Sequence, residues 1–250
     1  MHFKWNIETP SPERKQAAKE LAAKTGMSPI LADLLIRRGI KTESAAKRFF
    51  RPMLSELIDP FLMNDMDIAV DRLNDAMGRK ERIMVYGDYD VDGCTAVALV
   101  YKVLQQFYSN IEYYIPDRYD EGYGVSRKSI DEAKEKGVKL IIVLDCGIKA
   151  IDEIAYAKKL GIDFIICDHH VPDDEMPPAV AILNPKRKDS TYPFHDLSGC
   201  GVGFKFMQAF AKNNGIPFSR LMPVLDFCAI SIASDIVPVT REHRTLAFHG

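Results

Sequence analysis

Three aspartates stand within five positions in the segment Asp88-Tyr89-Asp90-Val91-Asp92-Gly93, directly after a short apolar run. Carboxylates this close together raise one another's pKa unless a cation neutralises them. Aspartate is also a common cap at the start of a helix, so a turn rich in capping residues is the simpler interpretation of this segment alone. The segment becomes a candidate cation site only if other ligands join it.

Other ligand types follow two later apolar runs. Asp145-Cys146-Gly147 comes after residues 140–144, and Asp168-His169-His170 comes after residues 164–167. Neutral imidazole together with carboxylate suits divalent Mn, Fe or Zn. A further aspartate, Asp235, ends an apolar helical segment, where a buried carboxylate needs a partner such as a cation.

These side chains together predict one site for two divalent cations. Several carboxylates in one site indicate a cation pair about 3.5–4 Å apart, bridged by one carboxylate. Hard oxygen ligands favour Mn²⁺ or Mg²⁺ over structural zinc. Such a pair activates water and neutralises charge at phosphorus, so it predicts hydrolysis of a phosphate ester or anhydride. The predicted ligands are Asp90, Asp92, Asp145, His169 and Asp235.

Two cysteines adjoin predicted ligands and raise the alternative of a softer site. Cys146 and Cys167 each neighbour a ligand in an extended segment, where successive side chains face opposite sides. We therefore interpret both as small buried hydrophobic residues. The chain has five cysteines and no C-x-x-C pair, which indicates reduced thiols and a cytoplasmic location.

The elements that position these residues predict an α/β fold. From residue 82 onward, short apolar runs at 83–86, 113–115, 140–144, 164–167 and 180–183 alternate with amphipathic helical stretches. Continuous apolar strands are typical of a parallel β-sheet flanked by helices on both faces. In such sheets ligands bind outside the carboxyl ends of the strands, which is where the acidic segments fall.

The first eighty residues predict an N-terminal helical region instead. Helices are expected from Ser11-Pro12, from Ser28-Pro29, after Thr42 and over residues 65–77. After the apolar strands, two more helices are expected at about 202–213 and 223–233. The predicted domains are therefore residues 1–80 and residues 81–250.

The amino-acid composition of the chain excludes several classes of protein. Hydrophobic residues make up 47% of the chain and charged residues 27%, which excludes wholesale disorder. The net charge of −2 excludes a generic basic coat for nucleic acid, although a local basic groove is compatible with it. No apolar stretch approaches the roughly 20 residues of a membrane span, so no membrane association is expected.

The motifs, taken in order, resemble the DHH phosphoesterase superfamily, which is named for the triplet at Asp168-His169-His170. Within it the chain resembles the RecJ family of bacterial exonucleases, which degrade single-stranded DNA from 5′ to 3′. The matching segments are residues 88–93, 118–124, 145–147, 168–170, 184–185, 197–205 and 234–238. The resemblance spans nearly the whole chain and implies the superfamily's parallel α/β fold.

The resemblance also implies roles for individual residues. It makes the five predicted ligands the holders of two Mn²⁺ or Mg²⁺ ions, with Asp145 as the bridge. His170 then faces the scissile phosphate or steadies its neighbour, and Asp88 and Asp168 are weaker candidates that orient ligands. Tyr86 stands where small-molecule relatives often carry a ligating His, so one metal is expected to have a different or more open coordination.

An exonuclease must also hold the strand. The candidates for DNA contact are Arg118, Tyr119, Gly122, Tyr123, Gly124, Ser198, Gly199 and Lys205. The segment 198–201 precedes a predicted helix, whose amino terminus attracts anions, and the tyrosines are suited to base stacking. The alternatives are tight packing of helix on sheet for the glycines and anchoring of the loop for the tyrosines.

Members of the RecJ family are longer, with a second domain carrying a Gly-Gly-His-type motif and an oligonucleotide-binding fold. We therefore expect this chain to be an N-terminal fragment that binds metal yet degrades DNA poorly, because its cleft is open on one side. The resemblance further implies a monomer that works with single-strand-binding protein and a helicase in recombination and repair.

Two other functions stay open. One is a phosphodiesterase or phosphatase acting on short oligonucleotides, cyclic dinucleotides or pyrophosphate, which segment 118–124 and the helical lead disfavour. The other is a catalytically silent scaffold for DNA or replication proteins. Such scaffolds lose ligand carboxylates, whereas this chain keeps every predicted one.

Overall fold

The computed structural model describes Lys4 and residues 8–250. The chain forms two compact units, Met1–Met53 and Leu54–Gly250. The sequence placed this boundary at residue 80, but the helix at Met66–Gly78 packs its buried face into the core of the second unit. Among the helices of the described residues, none combines the length and apolar character that crossing a membrane requires.

The first unit contains three helices, α1 (Pro12–Thr25), α2 (Pro29–Arg37) and α3 (Glu43–Phe50). Each begins where the sequence predicts it. The hydroxyl groups of Ser11, Ser28 and Thr42 accept a hydrogen bond from the backbone N–H three residues later, which satisfies one free donor at each helix start. Small and aliphatic residues of the three helices form a separate core.

The second unit alternates strands and helices along the chain. Its helices are α4 (Met66–Gly78), α5 (Val91–Leu104), α6 (Arg127–Glu135), α7 (Ile151–Lys159), α8 (Gly199–Asn213), α9 (Leu225–Ser234) and α10 (Arg241–His249). Its strands are β1 (Arg82–Gly87), β2 (Ile111–Tyr114), β3 (Val138–Leu144), β4 (Asp163–Cys167) and β5 (Ala181–Leu183).

The five strands form one parallel sheet in the order β2-β1-β3-β4-β5. Successive strand residues alternate between two apolar cores. In β3, for example, Ile142 packs with α4, α5, α8 and α9, whereas Ile141 packs with α6 and α7. Burial on both faces explains why the strands read as continuous apolar runs, and it confirms the predicted fold class.

The strand order also determines where a crevice forms at the edge of the sheet. The chain moves from β1 to one side for β2 and returns to the other side for β3. The connections that leave the carboxyl ends of β1 and β3 therefore diverge, and a crevice opens between them at that edge of the sheet.

Three elements differ from the sequence prediction. α8 begins at Gly199, three residues before the predicted 202, so the glycines at 199, 201 and 203 lie inside the helix. α9 begins at Leu225 because a 3₁₀ turn at Met222–Val224 holds the proline. α10, whose exposed residues are Arg241 and Phe248, was not predicted at all.

Candidate metal centre

Seven side chains meet at the carboxyl edge of the sheet. Their ligand atoms form three overlapping groups, and within each group they lie within 4.8 Å of one another. The groups are Asp88, Asp90 and Asp145; Asp92, His169 and Asp235; and Asp145, His169 and His170. Asp145 and His169 each belong to two groups. The structure thus brings together all five predicted ligands, with Asp88 and His170 beside them.

The turn from β1 to α5 presents the first two carboxylates. Asp90 caps α5, with Oδ1 accepting a hydrogen bond of 2.9 Å from the amide of Gly93. Asp88 is buried, burial raises its pKa, and its Oδ1 has no hydrogen-bond partner. A β-carbon at position 93 would lie 2.4 Å from the carbonyl oxygen of Asp88, so only glycine permits this tight turn.

Asp92 lies in the first turn of α5 and is buried. Its carboxylate accepts hydrogen bonds from the amides of Gly199 and Cys200, at 2.7 and 2.8 Å, and from the hydroxyl of Ser231 at 2.8 Å. The amino terminus of α8 is therefore directed at Asp92, where its free N–H groups and positive dipole end stabilise the carboxylate.

Asp145 follows β3 with a φ of +60°, a left-handed conformation that is strained for a residue other than glycine. Its amide still donates to the carbonyl of Cys167, so the strained residue is fixed by the ladder between β3 and β4. Burial, and then the nearby carboxylates of Asp92 and Asp90, raise the pKa of Asp145 to about 10. Its Oδ1 lies 3.1 Å from Nε2 of His169 but is not aligned for a hydrogen bond.

Asp168 organises the two histidines and is absent from the three groups of ligand atoms. Its buried carboxylate accepts hydrogen bonds from the amides of Ile148, His169 and His170, and it pairs with Nδ1 of His170 at 2.8 Å. Burial raises the pKa of Asp168, but the bond to His170 and the amide bonds outweigh burial and leave its pKa below the ordinary value. The same bond to Asp168 raises the pKa of His170.

His169 and Asp235 complete the second group. Nδ1 of His169 lies 3.8 Å from a carboxylate oxygen of Asp235, which follows the last turn of α9 and is partly exposed. Tyr86 is not part of the site. Its side chain is buried in the core, and its hydroxyl donates to the carbonyl of Gly124 at 2.7 Å. Asp88 instead joins Asp90 and Asp145 in the first group.

The residues present fit a pair of divalent cations. Among the few buried side-chain atoms that lack a partner in the described part of the chain, three belong to this cluster: Oδ1 of Asp88, Oδ1 of Asp145 and Nδ1 of His169. An unsatisfied buried polar atom costs about 1–3 kcal/mol, and more when the group is charged. Cations offset both that cost and the repulsion among the carboxylates, and the oxygen-rich ligand set suits Mn²⁺ or Mg²⁺.

The loop after β2 lies beside this cluster. Tyr123 brings its hydroxyl to 3.4 Å from the carbonyl oxygen of Asp145, and its ring lies edge-on to His170. Arg118 stacks over the ring of Tyr89 at 5.2 Å, and Tyr119 is 94% exposed. Gly122 and Gly124 have φ values of +78° and +82°, which explains glycine at both positions.

Three predicted DNA contacts are wrong. Lys205 is fully buried, and its ammonium group donates to the carbonyl of Ile58 and to Glu242. Ser198 is buried as the cap of α8, and Gly199 is buried with its amide on Asp92. The amino terminus of α8 does attract an anion, as predicted, but that anion is a carboxylate of the protein itself.

Glycine at position 199 has a different role. A β-carbon there would lie 2.4 Å from Oδ1 of Asp145, so glycine lets α8 approach the metal-facing carboxylates. This outcome matches the alternative of tight packing of helix on sheet rather than phosphate binding.

Sequence reasoning missed several supporting residues. Ser231 contacts Asp92, His243 accepts a hydrogen bond from the amide of Ser198, and Asn184 donates to the carbonyl of His170. Ser231 carried a usable signal, because it precedes Asp235 by four residues and therefore shares its face of an apolar helix. His243 carried none, since its helix was not predicted.

The chain is thus an α/β protein with a parallel sheet and a carboxylate–histidine cluster at the carboxyl edge of that sheet. Residues 82–232 match the DHH family, N-terminal domain. The chain belongs to the DHH family.

Within that family the chain is similar to proteins named single-stranded-DNA-specific exonuclease RecJ. It is 39% identical to the Bacillus subtilis protein over 248 residues, which cover 99% of this chain and 30% of that protein. It is 34% identical to the Escherichia coli protein over 235 residues, which cover 90% of this chain and 40% of that protein. The chain thus spans well under half the length of these relatives.

Solved structures of proteins named RecJ are also similar to this chain. An exonuclease RecJ bound to manganese superposes with a TM-score of 0.70 at 28% identity, covering 79% of this chain and 49% of that one. The RecJ of Thermus thermophilus in complex with Mn²⁺ superposes with a TM-score of 0.78 at 24% identity, covering 98% of this chain and 34% of that one. The second comparison shows the shared fold.

Proposed function

We propose that this chain carries the metal-binding part of a 5′→3′ exonuclease that hydrolyses phosphodiester bonds of single-stranded DNA in recombination and repair. The observation that carries the proposal is the three overlapping groups of carboxylate and imidazole ligand atoms, which contain buried atoms without partners. Its relatives named RecJ, similar over nearly the whole chain, support the choice of substrate.

Two cations, Mn²⁺ or Mg²⁺, would be held by Asp88, Asp90 and Asp145 on one side and by Asp92, His169 and Asp235 on the other. Asp145 is suited to bridge them, because it reaches both His169 and the first group. When bound, such cations act as Lewis acids that activate water and neutralise charge on the phosphate. A likeness to exonuclease RecJ bound to manganese supports this assignment.

In this proposal His170 contacts the phosphate. Asp168 accepts from its Nδ1, which orients the ring and leaves Nε2 as the nitrogen available to a substrate oxygen. The side chain is 44% exposed, whereas that of His169 is 7% exposed. In this assignment His169 binds metal and His170 holds the phosphate.

The loop after β2 supplies the grip on the strand. Arg118, held over the ring of Tyr89, is suited to a phosphate, and the exposed Tyr119 and Tyr123 are suited to base stacking at about 1–3 kcal/mol per base. Gly122 leaves open space for a backbone approach, because no atom would lie within 4 Å of an added β-carbon. Gly124, by contrast, is buried, and its carbonyl accepts from the hydroxyl of Tyr86.

The direct test is cleavage of a 3′-labelled single strand, in the presence of Mn²⁺, by a longer protein that contains this chain, because we expect the chain alone to degrade DNA poorly. We expect stepwise release of mononucleotides from the 5′ end. Replacing both Asp90 and Asp145 with Ala should abolish cleavage, whereas Asp152→Asn, an exposed carboxylate on α7, should leave it unchanged. Unchanged turnover in the double variant would refute the metal assignment, and action on di- and trinucleotides alone would favour a small-substrate phosphodiesterase.

We further propose that the protein acts in the cytoplasm as a monomer, together with single-strand-binding protein and a helicase. The five cysteines are free thiols, which is typical of a reducing compartment. Sedimentation equilibrium measures the oligomeric state of the protein. Co-sedimentation with single-strand-binding protein shows whether the two proteins interact. A stable dimer or the absence of co-sedimentation would contradict the respective proposal.

A further inference from the structure

The two carboxylate oxygens of Asp92 have different surroundings. Oδ1 accepts from the amide of Cys200 and from the hydroxyl of Ser231, each at 2.8 Å. Oδ2 accepts only from the amide of Gly199, at 2.7 Å, and lies 3.8 Å from Nε2 of His169. Each carboxylate oxygen accepts about two hydrogen bonds. Oδ1 is therefore filled, whereas Oδ2 keeps one free lone pair toward the ligand group.

The proton positions in this network follow from the chemistry of its members. A carboxylate only accepts, so Ser231 must donate its single proton to Asp92. The Ser231 hydroxyl also lies 2.6 Å from the oxygen of Ser198, which in addition accepts from the amide of Gly201. The carboxylate of Asp92 is charged and is therefore the stronger acceptor for the single Ser231 proton.

The network is anchored on α10. The amide of Ser198 donates to Nε2 of His243 at 3.1 Å, and Nδ1 of His243 donates to the carbonyl of Pro238 at 2.9 Å. Ser198, Ser231 and His243 are all completely buried. Water therefore does not compete for these bonds.

We propose that Ser231 is a positioning residue that fills Oδ1 of Asp92, so that Asp92 binds a divalent cation through Oδ2 alone. This inference rests on the proposed function, because it concerns the same metal centre. A carboxylate restricted to one oxygen suits a small cation in near-octahedral geometry, such as Mg²⁺ or Mn²⁺. Ca²⁺ is larger and often takes both oxygens, so it gains less from the restriction.

The test compares Ser231→Ala with the wild-type 250-residue chain by calorimetric titration with Mn²⁺ and, separately, with Ca²⁺. Loss of a hydrogen-bond partner to a ligand typically lowers metal affinity about 10–100-fold. We expect Mn²⁺ affinity at one of two sites to fall at least about tenfold. Ca²⁺ affinity should fall less, because a freed Oδ1 permits binding through both oxygens.

Two further variants make the result specific. Ser129→Ala on α6 removes another fully buried hydroxyl, which donates to the carbonyl of Ser126 at 2.7 Å, and it should leave both affinities unchanged. Ser231→Thr keeps the hydroxyl and should restore the preference for Mn²⁺. Circular dichroism of each variant reports whether the fold is retained.

Three outcomes would overturn the inference: wild-type Mn²⁺ affinity in Ser231→Ala, an equal loss in Ser129→Ala, or equal weakening of Mn²⁺ and Ca²⁺. Failure of the proposed function would give different experimental results. A wild-type chain that binds no Mn²⁺ would overturn both. Binding of two Mn²⁺ ions with the predicted Ser231 effect, but no cleavage of DNA by a longer protein that contains this chain, would overturn the exonuclease proposal alone.

Discussion

Asp145 lies in the most unfavourable electrostatic environment of the site. It is buried, has a left-handed backbone conformation and lies among other carboxylates, so its pKa rises to about 10. Such strain and repulsion are typical of functional sites and are compensated when a ligand binds. Stability and metal binding should therefore respond in opposite directions to a change at this position.

We expect Asp145→Asn to raise the melting temperature of the metal-free chain at neutral pH. With a pKa of about 10, Asp145 must take up a proton on folding, a cost that the amide of similar shape does not carry. For a chain of this size, each kcal/mol gained corresponds to about 2–4 °C. The stabilisation by Mn²⁺ expected for the wild type should disappear in the same variant. Differential scanning calorimetry with and without Mn²⁺ measures both effects.

The exposed Asp152→Asn serves as the control and should change neither quantity. A lower melting temperature for metal-free Asp145→Asn would contradict the repulsion argument.

At the scale of elements, the approach of α8 to the ends of β1 and β3 determines the geometry of the site. Its first turn donates two amides to Asp92 and leaves no room for a side chain beside Asp145. The sequence Ser198-Gly199-Cys200-Gly201 is thus explained by contact with the protein's own carboxylates.

Gly199→Ala should displace Asp145 or shift α8, because the added β-carbon would lie 2.4 Å from the Asp145 carboxylate. We expect Mn²⁺ affinity to fall at least about tenfold, as for other changes that disturb ligand orientation. Titration of the Gly78→Ala variant gives the control, since a β-carbon there meets no atom within 4 Å. Wild-type affinity in Gly199→Ala would show that α8 adjusts without cost.

The contact between α8 and α10 contains a buried ion pair. Lys205 donates to Glu242 at 2.9 Å, and Glu242 also accepts hydrogen bonds from the amide of Ile58 and the hydroxyl of Tyr192. Both charged side chains are almost completely buried. This pair therefore fixes α10, which carries His243, against α8.

Lys205→Met should destabilise the fold by about 3–5 kcal/mol, because removal of one partner leaves Glu242 as an unpaired buried charge. Lys212→Met breaks an exposed ion pair with Asp59 and should cost about 0–1 kcal/mol. Urea denaturation of both variants measures the difference. Equal stabilities would contradict a structural role for Lys205 and reopen a contact with DNA.

At the scale of the whole molecule, every residue of the metal centre lies in the unit Leu54–Gly250. That unit contains the complete sheet and both of its apolar cores, whereas α1, α2 and α3 form a core of their own. Metal binding should therefore depend on the second unit alone.

A chain of residues 54–250 should fold cooperatively and bind Mn²⁺ with an affinity within about twofold of that of the full chain. A factor of two corresponds to less than about 0.5 kcal/mol of binding free energy. Calorimetric titration of the two chains side by side measures this. The same truncation carrying Asp145→Ala should lose binding. An unfolded truncated chain, or one with much weaker binding, would show that the first unit supports the site.

The sequence alone determined the parallel α/β fold and the positions of the acidic and imidazole groups. Apolar runs such as 140–144 are local signals, and the carboxyl ends of neighbouring parallel strands necessarily meet at one edge of the sheet. For that reason Asp90, Asp92, Asp145 and His169 were predicted to lie together. The structure brings them together with Asp235.

Only the tertiary structure decided which polar residues near these segments support the site from inside. Lys205, Ser198 and Gly199 looked suitable for phosphate binding, yet all three are buried. Ser231 contacts Asp92 across 139 positions of sequence. Such pairings depend on how α8 and α9 pack against α5 and how α10 packs against α9. Spacing along the chain places Ser231 on the face of Asp235 but does not specify these contacts between distant helices.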